Sequence, residues 1–559
     1  MFQPDIWPFA SHFLSAMVAL LPLLTVFLLL GVLRIKAHWS GLAGLGVAIL
    51  VAIFAYKMPV AMALSSGLEG IMFALFPILW IVLTAVWFYE LTVVSGRAED
   101  LRGALYMVSD DPRILAVLIA FGFGSLLEAL AGFGAPVAIT GVMLIAVGFP
   151  PIKAALAVLI ANTAPVAFGA VATPIITAGN LTGIPYQEVG LFVGRQTSMI
   201  AWMVPMLMIL VADGWRGVKE TLPCTLPVGI AFAATKWISS TWISVELTDV
   251  FAALAALGVG VAILRFWKPK GTAEAQERLR AGRDAEVANG WGKDLAPAGE
   301  LRHPNGKQIW MALFPYVLVM VVFILAKLVG PIKDLLAKTD ITIQWPGLYG
   351  KVLTSTGQPN KSTIYTLTTL SSPGTLLLLC GLIVAVVFKI SMGEAFKTMG
   401  RQIYKMRWTV LTVCSVLALA YVMNMSGQTY TVGVWIASVG SVFAYFSAVL
   451  GWIGTAVTGS DTSANALFAT LQQTVANELG LDPRLLIGAN TAGGVVGKMI
   501  SPQNLAIAAT ATGLVGRESE ILRKAVWWSL GLLIFLCLIV GLQSTPVLGW
   551  MVPAIGVPR

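Results

Sequence analysis

Runs of apolar residues, each long enough to span a bilayer, recur along this chain, and the short segments between them hold most of its charge. A transmembrane helix needs roughly 20 mostly apolar residues. Of 559 residues, 57% are hydrophobic and 11% are charged, against about 25% charged in an ordinary soluble domain. A soluble chain of this length would divide into domains with polar faces. The pattern predicts an all-α integral membrane protein with about 12 transmembrane helices. Predicted spans lie near 13–33, 40–57, 69–93, 188–211, 222–243, 247–266, 308–330, 372–390, 407–425 and 525–545. The 18 Trp suit the headgroup level. The N-terminus lacks a basic leader region, so the first span reads as a retained helix.

The net charge of +9 sits in short loops and on no single surface, which points away from nucleic acid. Basic residues cluster at 213–220, 267–307, 390–407 and 516–524. The positive-inside rule places all four loops in the cytoplasm. That arrangement is self-consistent only if the Gly-rich stretches 114–149 and 431–479 each cross an even number of times, as re-entrant hairpins or pairs of short spans. Both termini are then external. The first hairpin opens from the cytoplasmic side and the second from the external side. The membrane halves are 1–266 and 308–559, joined by the cytoplasmic loop 267–307.

Each hairpin is followed by a segment with a shared pattern. Residues 162–174 read NTAPVAFGAVATP and residues 490–502 read NTAGGVVGKMISP. Asn162, Thr163, Ala164, Gly169 and Pro174 align with Asn490, Thr491, Ala492, Gly497 and Pro502, and Thr173 meets Ser501. Thirty residues before each Asn lies a tip: AGFGAP at 131–136 and TGSDTSAN at 458–465. Upstream, Ser95-Gly96 matches Ser426-Gly427. With the loop charges, this predicts inverted-topology repeats, each with a broken helix, at 153–178 and 484–512. Broken helices free backbone groups at membrane depth, tolerated only where protein or water satisfies them. Half-helix N-termini suit a carboxylate, and small Asn, Thr and Ser side chains add donors. The predicted substrate lining is therefore Gly132, Gly134, Asn162 and Thr163 from the first repeat, and Ser460, Thr462, Ser463, Asn490 and Thr491 from the second. Small residues at these positions also serve close helix packing.

Ionisable residues at membrane depth are costly and point to function. Glu128 and Asp461 are the candidates to carry a proton, since burial makes a carboxyl easier to protonate. Lys498 is the candidate to attract an anion, and Arg195 a weaker one. Asp461 also suits a helix cap, and Lys498 a buried ion pair. The three His (His12, His38, His303) fall outside the predicted spans, so no metal site is expected. The four Cys (Cys224, Cys380, Cys414, Cys537) read as small packing residues.

The strings EALAGFGAPVAIT at 128–140, NTAPVAFGA at 162–170, DGWRGVKET at 213–221, TGSDTSANALFA at 458–469 and NTAGGVVGKMISPQ at 490–503 resemble the L-lactate permease family. The likeness covers most of the apolar chain but not loops 267–307 and 331–370. It implies a symporter of L-lactate, D-lactate or glycolate with protons in the bacterial inner membrane, without a cofactor. It also implies a distant relation to the ion-transporter superfamily, with its two re-entrant hairpins and two broken helices. A sodium-coupled carboxylate carrier and an anion channel are the alternatives. No HExxH, GxSxG or nucleotide loop supports an enzyme. The expected partners are a 2-hydroxymonocarboxylate, protons and membrane lipids. Oligomeric state, substrate preference and the type of transport motion stay open.

Overall fold

The computed structural model describes residues 1–132, 134–288, 304–354 and 357–552. Residues 289–303 of loop 267–307, including His303, lie outside them. The chain is almost wholly helical. Among the described residues the exception is a two-stranded antiparallel ribbon, Ile341–Gln344 with Ile364–Leu367, inside the polar excursion 331–370.

Among the described residues, nine helices are long and apolar enough to cross a membrane, ten if one bent pair counts as a single span. The expectation was about 12. The difference lies in how breaks are counted. Tyr186–Ile243 runs 58 residues, roughly 87 Å of helix, and turns sharply at Gly214 (φ 72°, ψ −168°). Pro373–Val387 is apolar but short. Outward faces carry Leu21, Leu24, Leu64, Leu68, Trp527 and Ile534, all exposed. Such faces suit lipid, not water.

Two series of elements follow one plan. The first contains Trp80–Val94, the short helix Arg97–Tyr106, a hairpin (Pro112–Leu130 and Ala135–Val147) and a broken helix (Pro151–Asn162 and Gly169–Thr182). The second contains Met392–Ser426, Gln428–Ala437, a hairpin (Ser447–Thr458 and Asp461–Glu478) and a broken helix (Pro483–Gly497 and Pro502–Ala511). Each short helix starts at a left-handed glycine, Gly96 (φ 74°) and Gly427 (φ 90°), which is what the two Ser-Gly pairs encode. The second hairpin starts at 447, not at the expected 431, because Gly440 (φ 81°) and a 3₁₀ turn at Ser441–Tyr445 separate off the preceding helix.

The two series interlock reciprocally. The second limb of each hairpin packs against the second half of the other series' broken helix: Asp461–Glu478 on Gly169–Thr182, and Ala135–Val147 on Pro502–Ala511. The first limb of the first hairpin, Pro112–Leu130, is buried along its whole length. Its irregular, partly π-helical backbone is therefore enclosed by protein, as the bilayer requires. Its N-terminal end is anchored by Arg113, fully buried and paired with Asp111 (2.8 Å), Asp213 (3.1 Å) and Glu220 (2.5 Å).

Candidate functional site

Sequence chemistry builds four helix starts around one point. Gly459 (φ 78°) ends the first limb of the second hairpin. Ser460 then caps the second limb, its Oγ accepting from the Ser463 N–H at 3.3 Å. Ser501 caps Pro502–Ala511 in the same way, accepting from the Asn504 N–H at 3.3 Å. In the first broken helix, Ala170, Val171 and Ala172 all take positive φ (44–59°) before regular helix resumes at Thr173. In the first hairpin, Gly132 and Gly134 turn the chain into Ala135–Val147. Helix N-termini carry partial positive charge. Gly132, Thr173, Ser460 and Gln503, one from each start, line a shared cavity of about 230 Å³.

Charged groups meet at the same place. Lys498 Nζ lies 2.7 Å from Glu128 Oε1. Asn162 Nδ2 donates to Glu128 Oε2 at 2.9 Å, and Asn504 Nδ2 approaches Asn162 Oδ1 at 3.5 Å. The chain Asn504–Asn162–Glu128–Lys498 thus ties the first hairpin to both broken helices. Asp461 is 3% exposed, and neither of its carboxylate oxygens makes a hydrogen bond of good geometry. The Thr455 hydroxyl stands beside it, over Gly494, where a Cβ would come within 2.0 Å of Asp461 Oδ1. His38, Trp408, Thr409 and Thr412 also line the cavity, with the His38 ring stacked on Trp408 at 4.5 Å.

The model of the L-lactate permease family matches residues 15–547. This chain belongs to that family. Among curated relatives, the permease is 40% identical to the glycolate permease GlcA of Escherichia coli K12, over 94% of each chain. It is 38% identical to the L-lactate permease of Bacillus subtilis, over 97% of each chain. It is 37% identical to the L-lactate permease of Escherichia coli K12, over 99% of this chain and all of that one. Among solved structures, the Alcanivorax borkumensis YdaH transporter aligns over 97% of this chain and 99% of that chain, at 14% identity and a TM-score of 0.49. That likeness is too loose to compare residues. The permease is a multi-pass membrane transporter and not an enzyme.

Of the residues predicted from sequence, Gly132, Ser460, Thr462, Ser463, Lys498, Glu128 and Asp461 line the cavity. The others stand elsewhere. Asn162 lies one layer behind, holding Glu128. The Thr163 hydroxyl donates to the Ile160 carbonyl at 2.6 Å. Gly134 packs against Ile507. Asn490 Nδ2 and the Thr491 hydroxyl both donate to Asn465 Oδ1, at 3.1 and 2.9 Å, and pin the second broken helix to its hairpin. Arg195 donates to the Met551 carbonyl and covers the Trp237 ring, away from the cavity.

The two Asn-Thr-Ala motifs diverge for a physical reason. In the first, Pro165 follows and cannot continue the helix, so the break comes at once. In the second, Gly493 follows and the helix runs on to Gly497, so the motif stays inside it. Thr173, Gln503, Asn504 and His38 were not nominated from sequence. The alignment of Thr173 with Ser501 carried the signal for the first, and Gln503 and Asn504 sit just past Pro502. His38 falls inside helix Ala37–Phe54, not outside a span as expected.

Proposed function

We propose that this permease imports L-lactate, and also D-lactate and glycolate, by symport with protons across the bacterial inner membrane. The observation that carries the reading is the Glu128–Lys498 pair, enclosed in a small cavity ringed by helix N-termini. The substrate carboxylate meets Lys498 and the N–H groups of Asp461 and Thr462 at the helix start. Ser460, Thr173 and Gln503 are within the same cavity to take the 2-hydroxyl.

Charge neutrality supplies the coupling. Empty, the site holds ionised Glu128 against Lys498 and is neutral. Loaded, Glu128 is protonated and the substrate carboxylate takes its place beside Lys498, so the site is neutral again. A carboxylate without a proton leaves a buried negative charge, and a proton without a carboxylate leaves Lys498 alone. Each uncompensated charge costs several kcal/mol, so the two cross together. Neutral Asp461, beside the start of its helix, donates to the bound substrate. In this reading the pseudo-repeats are inverted, both termini face outward, and the cavity faces the cytoplasm, since its lining residues Ala37, His38 and Trp408 follow the basic residues Arg34, Lys36 and Arg407 in the sequence.

Reconstituted vesicles test this. An inward proton gradient drives lactate accumulation with matching alkalinisation outside, and removing sodium at fixed pH changes nothing. Sodium dependence, or flux that never exceeds equilibration, overturns the symport reading. Asp461→Asn is expected to retain one proton per lactate with weakened substrate affinity. Loss of proton flux in that variant would move the carrier role from Glu128 to Asp461.

A further inference from the structure

A second buried lysine lies behind the cavity, on the break of the first broken helix. Lys236 and Asp249 are both fully buried, on helices Val204–Ile238 and Thr248–Phe266. Lys236 Nζ lies 3.1 and 3.3 Å from the two oxygens of Asp249. It also donates to the Ala164 carbonyl and faces the rings of Phe168 (4.9 Å) and Phe232 (5.5 Å). In an unbroken helix the Ala164 carbonyl would accept from the Phe168 N–H. Here that N–H turns to the Pro165 carbonyl at 3.2 Å, which leaves Ala164 for the ammonium. A freed backbone carbonyl, a carboxylate and two aromatic faces are what a monovalent cation seeks at membrane depth. Val166 and Gly169, from the same break, line the substrate cavity on its other side.

We propose that the break of the first broken helix is a monovalent-cation site kept filled by the Lys236 ammonium, a tethered ion that holds the break in shape and sets positive charge behind the bound anion. Lys236 is a positioning residue, since Phe168 and the break stand between it and the cavity. The cation site stands on the geometry alone. Its effect on substrate rests on the cavity being the lactate site.

The test begins without substrate. Purified full-length Lys236→Ala leaves the cage vacant. Methylammonium or sodium chloride should then raise its melting temperature saturably, by about 1 °C or more. N-methylglucamine chloride at equal ionic strength should not. Wild type, with the site filled, should not respond, nor should Lys236→Ala/Asp249→Asn, which lacks the anchoring charge. Equal responses in all three proteins, or none in Lys236→Ala, overturn the proposal. If Lys236→Ala does not fold, Lys236→Met/Asp249→Asn decides, because a neutral pair of similar volume can replace a buried ion pair without loss of stability. That variant should keep the wild-type melting temperature and one proton per lactate while its KM for lactate rises at least about tenfold, 1.4 kcal/mol of binding. A wild-type KM overturns the proposal. Should wild type itself not transport lactate, the functional reading fails while the melting experiment still decides the cation site.

Discussion

Lys498 and Glu128 are 370 positions apart, and each is the other's counter-charge. Neither makes sense alone at membrane depth, so removing one exposes what the other was held for. Glu128→Gln leaves Lys498 without its carboxylate partner, a change that costs about 3–5 kcal/mol in buried pairs. The variant should melt lower in the apo state and regain stability with lactate, whose carboxylate replaces the missing one. Exchange of labelled lactate across vesicles should persist while accumulation driven by a pH gradient is lost. Accumulation at the wild-type level would remove Glu128 from the coupling step. At Asp461 the reasoning differs: the carboxyl is buried and neither of its oxygens makes a hydrogen bond of good geometry, which leaves both facing the cavity for a ligand.

At the scale of elements, backbone contact between the second hairpin and the second broken helix shapes the site. Glycines on both helices make that contact. A Cβ on Gly493 would fall 1.9 Å from the Ala448 carbonyl oxygen, one on Gly497 2.3 Å from that of Trp452, and one on Gly451 1.8 Å from that of Asn490. None of these can be relieved by turning a side chain. Gly493→Ala should therefore cost about 2 kcal/mol or more by overpacking, read as a fall in melting temperature, and it should weaken lactate binding by pushing the Asp461 helix start off the cavity. Gly258→Ala is the control. Nothing lies within 4 Å of its Cβ, and relief from helical glycine should gain up to about 1 kcal/mol. Similar losses at both positions would mean that close packing is not what these glycines provide.

The whole molecule sets which face the cavity meets. The proposed orientation, with the basic loops in the cytoplasm, turns the side of the cavity lined by His38, Trp408 and Thr412 inward. Thr412→Cys should react with an impermeant maleimide in inside-out vesicles, and saturating lactate should slow the reaction. Labelling from the outer face alone would reverse the assigned orientation. Wild type serves as the control for its four native cysteines, three of them buried. The Arg113 cluster belongs to the same scale, because it joins the start of the first hairpin to Val204–Ile238 and, through Arg278 on Asp213 at 2.7 Å, to Thr272–Ala288. Arg113→Met takes from Asp111 its ion-pair partner and leaves Asp213 to Arg278 and Glu220 to Arg216. It should destabilise by about 3–5 kcal/mol, seen as a lower melting temperature that recovers as the pH falls and the carboxylates protonate.

Length, hydropathy and charge bias were enough to call a polytopic helical protein, because the bilayer admits so few backbone solutions. The strings around Glu128, Asp461 and Asn490 were enough to place the chain in its family. Local chemistry marked the hairpin tips and the Ser-Gly helix starts, since positive φ and helix caps are set by a residue and its neighbours. Which Asn-Thr-Ala motif breaks its helix was also written locally, in Pro165 against Gly493, though the eye goes first to the shared residues. Only the tertiary structure brought Glu128 to Lys498, turned Asn490 and Thr491 away from the cavity, brought His38 to its wall and set Lys236 on the Ala164 carbonyl. Those pairings join residues from different helices, and the rotation of one helix about another is decided by packing over its whole length, which no short stretch of sequence contains.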